Sequence, residues 1–132
     1  MSIQKVNHSV VRLIDAESVA KSSASFTSEW YDVNGWTDKV VTYEVDSSGS
    51  IALTLTADIS PLGYYELNNK TATTDDYATI TIASGATGAV VTRVDSDDLD
   101  DLQRPIRSLR LKALNADGSD ASVVTTWIEG WS

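Results

Sequence analysis

The stretch EWYDVNGWTDKVVTYEVDSSGSIALTLTADIS, from Glu29 to Ser60, decides the fold. Trp30 to Val33 reads as a short strand ending at an Asn34-Gly35 turn, with Trp30, Tyr31 and Trp36 gathered around it. In Lys39 to Val45, Val41, Tyr43 and Val45 share one face. After Asp46-Ser47-Ser48-Gly49, the segment Ser50 to Ile59 puts Ile51, Leu53, Leu55, Ala57 and Ile59 on one face and Ala52, Thr54, Thr56 and Asp58 on the other. Successive side chains of a strand point to opposite sides, so a period of two means one buried face and one wet face. The unbroken apolar row of Ser50 to Ile59 marks a central strand. Strand, turn, strand, turn, strand is an antiparallel all-β pattern.

Outward from this stretch the same habit continues. His8 to Ile14 is a strand candidate, and Val19 to Thr27 a weaker, Ser-rich one. Asp15 to Lys21 is open to a short helix, because Asp15, Ala16, Glu17 and Lys21 tolerate one. Pro61 and Gly63 break the pattern, and Tyr64 to Leu67 reads as a short edge strand. Asn68 to Asp76 is polar and Thr-rich, hence a loop. Tyr77 to Ala83 and Ala89 to Val94 read as a hairpin around Ser84-Gly85-Ala86-Thr87-Gly88, followed by the acidic loop Asp95 to Asp101. Ile106 to Leu114 is a strand entered through Pro105, Asn115 to Asp120 a turn, and Ala121 to Trp131 the last strand. Short strands with turn signals every eight to twelve residues or so predict a single antiparallel β-sandwich, jelly-roll-like. Residues 1–10 read as an N-terminal arm and residues 11–132 as the sandwich domain.

Composition narrows function by exclusion. A chain of 132 residues forms one domain and buries enough surface to fold without a staple. It has no cysteine, which removes thiol nucleophiles, thiolate metal sites and disulfides. Met1 to Lys5 lacks the charged segment and apolar run of a signal peptide, and no apolar stretch is long enough for a membrane helix, so the expectation is cytoplasmic synthesis and no membrane partner. Net charge is -9 and the basic residues are scattered apart from Arg104, Arg107, Arg110 and Lys112, which argues against nucleic-acid binding.

No catalytic motif survives inspection. DSDDLDD offers Asp95, Asp97, Asp98, Asp100 and Asp101 as oxygen ligands, but lacks the Gly and Glu spacing of a calcium loop and reads as a solvated acidic loop. Ser18-Val19-Ala20-Lys21 matches S-x-x-K by chance, since its companion motifs are missing. His8 is the one histidine, and no nucleophile elbow accompanies it. Nothing singles out a carboxylate pair for glycoside hydrolysis. The chain is therefore expected to be no enzyme, with no metal and no cofactor. The tryptophans carry more. Trp30, Trp36, Trp127 and Trp131 lie at strand ends or beside turns, where aromatics fill the core rim, anchor a protein interface or stack on sugar rings. Trp131, next to the last residue, is expected to dock onto a neighbouring subunit.

The segment Thr27 to Ser60, with SEWYDVNGWT, KVVTYEV and SIALTLTADIS, resembles small virion proteins of tailed bacteriophages. So does the later pair RPIRSLRLKAL and ASVVTTWIEG, in the same order. The resemblance implies a jelly-roll or sandwich fold in a capsid decoration protein, a head fibre, or a tail or baseplate part, often trimeric. It implies a virion location and the major capsid protein as partner. On this reading Trp30, Tyr31, Trp36, Trp127 and Trp131 form the interface. A carbohydrate-binding module is the alternative.

Overall fold

The computed structural model describes residues 8–36, 38–47, 49, 51–69, 76–86, 91–95 and 106–131. Among them the order is β1 (His8–Val19), β2 (Ala24–Thr27), β3 (Tyr31–Asp32), β4 (Asp38–Asp46), β5 (Leu53–Ser60), α1 (Tyr64–Asn69), β6 (Ala78–Ala86), β7 (Val91–Asp95), β8 (Ser108–Asn115) and β9 (Ser122–Trp131). One antiparallel sheet runs β1-β9-β4-β7; the other runs β2-β8-β5-β6, with β3 also on β8. This is the expected all-β, jelly-roll-like sandwich. β5 lies between β8 and β6, as its apolar row requires.

The core forms where the two sheets' apolar faces meet. Val41, Tyr43, Val45, Val124 and Ile128 come from the first sheet; Leu53, Leu55, Ala57, Ile59, Leu109, Leu111 and Ala113 come from the second. Each set falls on alternate residues of its strand, so the hydrophobic effect fixes both the register and the facing of the sheets.

The connections differ from a chain of hairpins. Of consecutive strands, β5 and β6 pair with each other; β3, β4 and β5 fall alternately on the second, first and second sheets. The Asn34-Gly35 turn makes the first of these crossings. Trp36 N–H donates to the Val33 carbonyl at 3.0 Å, and Gly35 sits at φ +84°, where a side chain would be strained. The expected hairpin of Tyr77 to Ala83 with Ala89 to Val94 also resolves into two sheets. β6 pairs with β5 and β7 pairs with β4. A two-sheet core wins here because each strand gains a partner on its own sheet.

Two further expectations are corrected. Asp15 to Lys21 is no helix: β1 runs through to Val19, with register shifts between Arg12 and Ile14 and between Ile14 and Glu17. Across those bulges, threonine hydroxyls stand in for carbonyls. Ile14 N–H donates to Thr126 Oγ1 at 3.1 Å and Ala16 N–H to Thr125 Oγ1 at 3.2 Å. A helix this short cannot recover its nucleation cost against a paired neighbour. Tyr64 to Leu67 is no edge strand but the start of α1, closed by Leu67 N–H to the Gly63 carbonyl and held by the buried Leu67. Its sequence has no alternating apolar row to give a sheet. Of the expected arm, residues 1–7 lie outside the described set, whereas His8, Ser9 and Val10 pair with Trp131, Gly130 and Glu129 in β1.

Side chains also fill the gaps in the second sheet. β2 and β3 lie end to end along β8, and at the break Leu111 N–H donates to Ser28 Oγ while Ser28 N–H donates to the Leu111 carbonyl. Asn115, fully buried, donates from Nδ2 to the Val19 and Asp120 carbonyls and accepts from Asp117 N–H.

Trp36 packs on the core at the end of the sandwich, flat against Gly130; a Cβ at Gly130 would collide with its Cε3 atom. Gly130→Ala is expected to displace the indole and cost about 2 kcal/mol, as overpacking typically does. The check is a lowered urea midpoint with an unchanged slope.

Candidate functional site

The five aromatics expected at an interface do not form one surface. Trp127 and Trp131 share the outer face of β9, since Thr126, Ile128 and Gly130, which alternate with them and with Glu129, turn inward. Across the β1–β9 pairing, His8 stands opposite Trp131 and Arg12 opposite Trp127. The His8 imidazole stacks on Trp131 at 4.7 Å and 13°, and its Nε2 lies 2.9 Å from Glu129 Oε2. The Arg12 guanidinium lies 5.5 Å from the Trp127 ring centre and is bonded to Asp15 at 2.9 Å. Val10, 56% exposed, sits in the same row between His8 and Arg12. The result is a half-exposed aromatic patch, edged by charges, on the outside of the first sheet.

Tyr31 and Trp36 lie elsewhere, with ring centres 6.0 Å apart and both packed on the core rim. Tyr31 and Trp30 also line a groove between β1 and β2, with Val11, Leu13 and Phe26. Trp30 is itself buried, 5% exposed, so it offers little surface to a partner.

What buries Trp30 is a cluster that the sequence only half shows. Thr79, Asp58 and Arg110 face one another across β6, β5 and β8. Arg110 Nε donates to Asp58 Oδ2 at 2.7 Å, and Thr79 Oγ1 donates to Asp58 Oδ1 at 2.6 Å. The Arg110 guanidinium lies between two rings, 4.5 Å from the centre of Trp30 and 4.9 Å from that of Tyr77. Trp30 and Tyr77 meet edge to face at 5.7 Å. Cross-strand pairing places all three polar groups on the outer face of the second sheet, and the rings shield the ion pair. The period-two reading puts Asp58 on the wet face of its strand. Finding its partner 52 residues away needs the β5–β8 register.

Lys39 is fully buried, and its Nζ donates to the Trp36 carbonyl at 3.1 Å. Burial holds its ammonium below the ordinary 10.5, against the opposing pull of Asp38. Among the described residues no group of three or more His, Cys, Asp or Glu side chains can hold a metal. Asp117, in the turn after β8, spends Oδ1 on the N–H groups of Ser119 and Asp120, both at 2.8 Å. The acidic loop, beyond Asp95 at the end of β7, lies outside the described residues. No helix among the described residues is long and apolar enough to cross a membrane.

The chain matches no protein-family model and no curated protein sequence. Among solved structures it is similar to VP2 of infectious bursal disease virus. In the VP2 subviral particle the alignment covers 96% of this chain and 32% of that one, with TM-score 0.57 and 13% identity. In the T13 particle of that virus it covers 96% and 31%, with TM-score 0.59 and 10% identity. In derived T=1 particles it covers 96% and 31%, with TM-score 0.52 and 13% identity. The chain spans about a third of the length of the solved chains it matches. At these identities the likeness is one of fold: a sandwich also found in chains that build icosahedral viral particles.

Two outcomes follow from these contacts. Asp58→Ala leaves Arg110 between two rings without its carboxylate; because that guanidinium is partly solvated, the cost is expected near 2 kcal/mol, read from chemical unfolding. For Lys39 the folded value lies below the unfolded one, so between the two the unfolded chain binds more protons and stability rises with pH up to about 10.5. Lys39→Met should flatten that alkaline rise in the urea midpoint; an unaltered slope would show that the ammonium is not the group responsible.

Proposed function

We propose that this chain is a virion structural protein: a capsid decoration protein of a tailed phage, seated as a trimer on the outside of the capsid, against the major capsid protein. The observation that carries the reading is the sandwich fold, aligned over 96% of the chain with a chain of an icosahedral viral particle. A clamp of this kind needs a stiff, self-folding β-domain and a contact surface, and no reactive centre. Both sheets here are tied at their breaks by Ser28, Thr125 and Thr126, and Asn115 ties the end of β8 to the end of β1. Trp127, Trp131 and Val10 supply an apolar contact patch, and Glu129, His8 and Arg12 supply its polar rim. That is the usual anatomy of a protein interface, with aromatics dominating its energy. Three copies bound together would turn modest single contacts into durable attachment. The net charge of -9 discourages nonspecific DNA contact during assembly.

Light scattering behind a sizing column tests the assembly. A trimer of about three times 14.2 kDa is expected, binding phage capsids in co-sedimentation. Trp131→Ala should weaken capsid or subunit binding by about tenfold or more while leaving the fold intact. Unchanged capsid occupancy for that variant would remove Trp131 from the interface.

A further inference from the structure

The outer face of the second sheet, away from the Trp127–Trp131 patch, carries a groove of about 300 Å³. Its wall includes Thr27, Thr54, Thr56, Tyr77, Arg110 and Lys112. Pairing explains why these residues meet. Thr56 on β5 stands opposite Lys112 on β8, which also pairs with Thr27 on β2, and Thr54 stands opposite Leu114. In the next row Asp58 faces Arg110 and Thr79. All of them point away from the core, because Leu55, Ala57, Leu111 and Ala113 between them point in.

The chemistry of that wall is selective. Asp58 is the one carboxylate lining the groove among the described residues, and its oxygens already accept from Arg110 Nε and Thr79 Oγ1. Arg110 is held by that bond and by the rings of Trp30 and Tyr77, yet its Nη1 and Nη2 groups have no hydrogen-bond partner among the described residues. Lys112 is exposed on the same face, about 7 Å along the strand at the usual rise per residue. The hydroxyls of Thr27, Thr54 and Thr56 have no hydrogen-bond partner among the described residues. On a chain of net charge -9, this groove therefore holds one cation more than it holds anions, with a fixed planar donor fork and a row of open hydroxyls.

We propose that the groove binds an acidic saccharide, with the sugar carboxylate on Arg110 and Lys112 and the sugar hydroxyls on Thr27, Thr54 and Thr56. A guanidinium matches a carboxylate with two parallel N–H donors, and the ring contacts leave it little freedom to lose on binding. The volume lies at the lower end of ligand clefts, right for one or two sugar rings and far larger than a bare anion. Tyr77 adds an aromatic edge beside the cation. This proposal is independent of the assembly reading, because it uses the opposite sheet.

The test is a titration of the full isotope-labelled chain, followed by amide shifts, with trigalacturonate, the neutral galactose trisaccharide, acetate and inorganic phosphate as separate probes. Trigalacturonate should shift amides of β5, β6 and β8, and the neutral sugar should bind at least about tenfold more weakly. Lys112→Gln, an exposed change with no bond to Asp58, should weaken trigalacturonate several-fold with no change in melting temperature. Arg110→Lys should weaken it about tenfold or more, since a lysine cannot present the planar fork. The proposal is overturned if trigalacturonate leaves the groove amides unmoved up to about 10 mM. Equal binding of the neutral sugar, displacement by acetate or phosphate at equal concentration, or an unaffected Lys112→Gln variant overturns it as well.

Discussion

A strand with one apolar face needs a second such face to cover it. In this chain β5 and β8 bring Leu53, Leu55, Ala57, Leu109 and Leu111 to the middle of one sheet, and β4 and β9 bring Val41, Tyr43, Val45, Val124 and Ile128 to the middle of the other. Closing these two surfaces removes the apolar side chains from water, at a gain of about 25 cal/mol per Å² buried. Everything else is arranged around that closure. Connections cross between the sheets because the strands with the longest apolar rows must lie at the centre of both.

Crossing so often leaves breaks in the ladders, and polar side chains close them. Thr125 and Thr126 receive the N–H groups of Ala16 and Ile14 where β1 bulges. Ser28 bridges the gap between β2 and β3. Ser108 Oγ donates to the Leu62 carbonyl at 2.8 Å and Ser60 Oγ to the Asp76 carbonyl at 2.6 Å, fixing the chain on either side of α1. A buried amide left unpaired costs more than a typical hydrogen bond gains, so these small hydroxyls are part of the fold and not decoration.

The closure also leaves two outer faces, and they have different chemistry. The first sheet presents Trp127 and Trp131 with Val10 between charged neighbours, a surface suited to another protein. The second presents hydroxyls, the held Arg110 and the exposed Lys112 around Asp58, a surface suited to a small polar ligand. The two faces are carried on the same pair of closed sheets, and contacts within the fold already hold Arg110 between its rings and Trp131 against His8.

The sequence by itself determined the class of fold and most of the strands. A period of two depends on neighbouring residues alone, and Ser50 to Ile59, Ile106 to Leu114 and Ala121 to Trp131 display it openly. It also marked the turns at Asn34-Gly35 and Asn115 to Asp120, and picked out Trp127 and Trp131 at the strand that carries them. Only the tertiary structure decided which strands pair, so it alone separated β6 from β7, extended β1 through Asp15 to Val19, and buried Trp30 beneath Arg110. The reason is the range of the interactions. Alternation is written between residues two apart, whereas the Asp58–Arg110 pair and the Trp36–Gly130 contact join positions distant in the chain, and exist only once both sheets have closed.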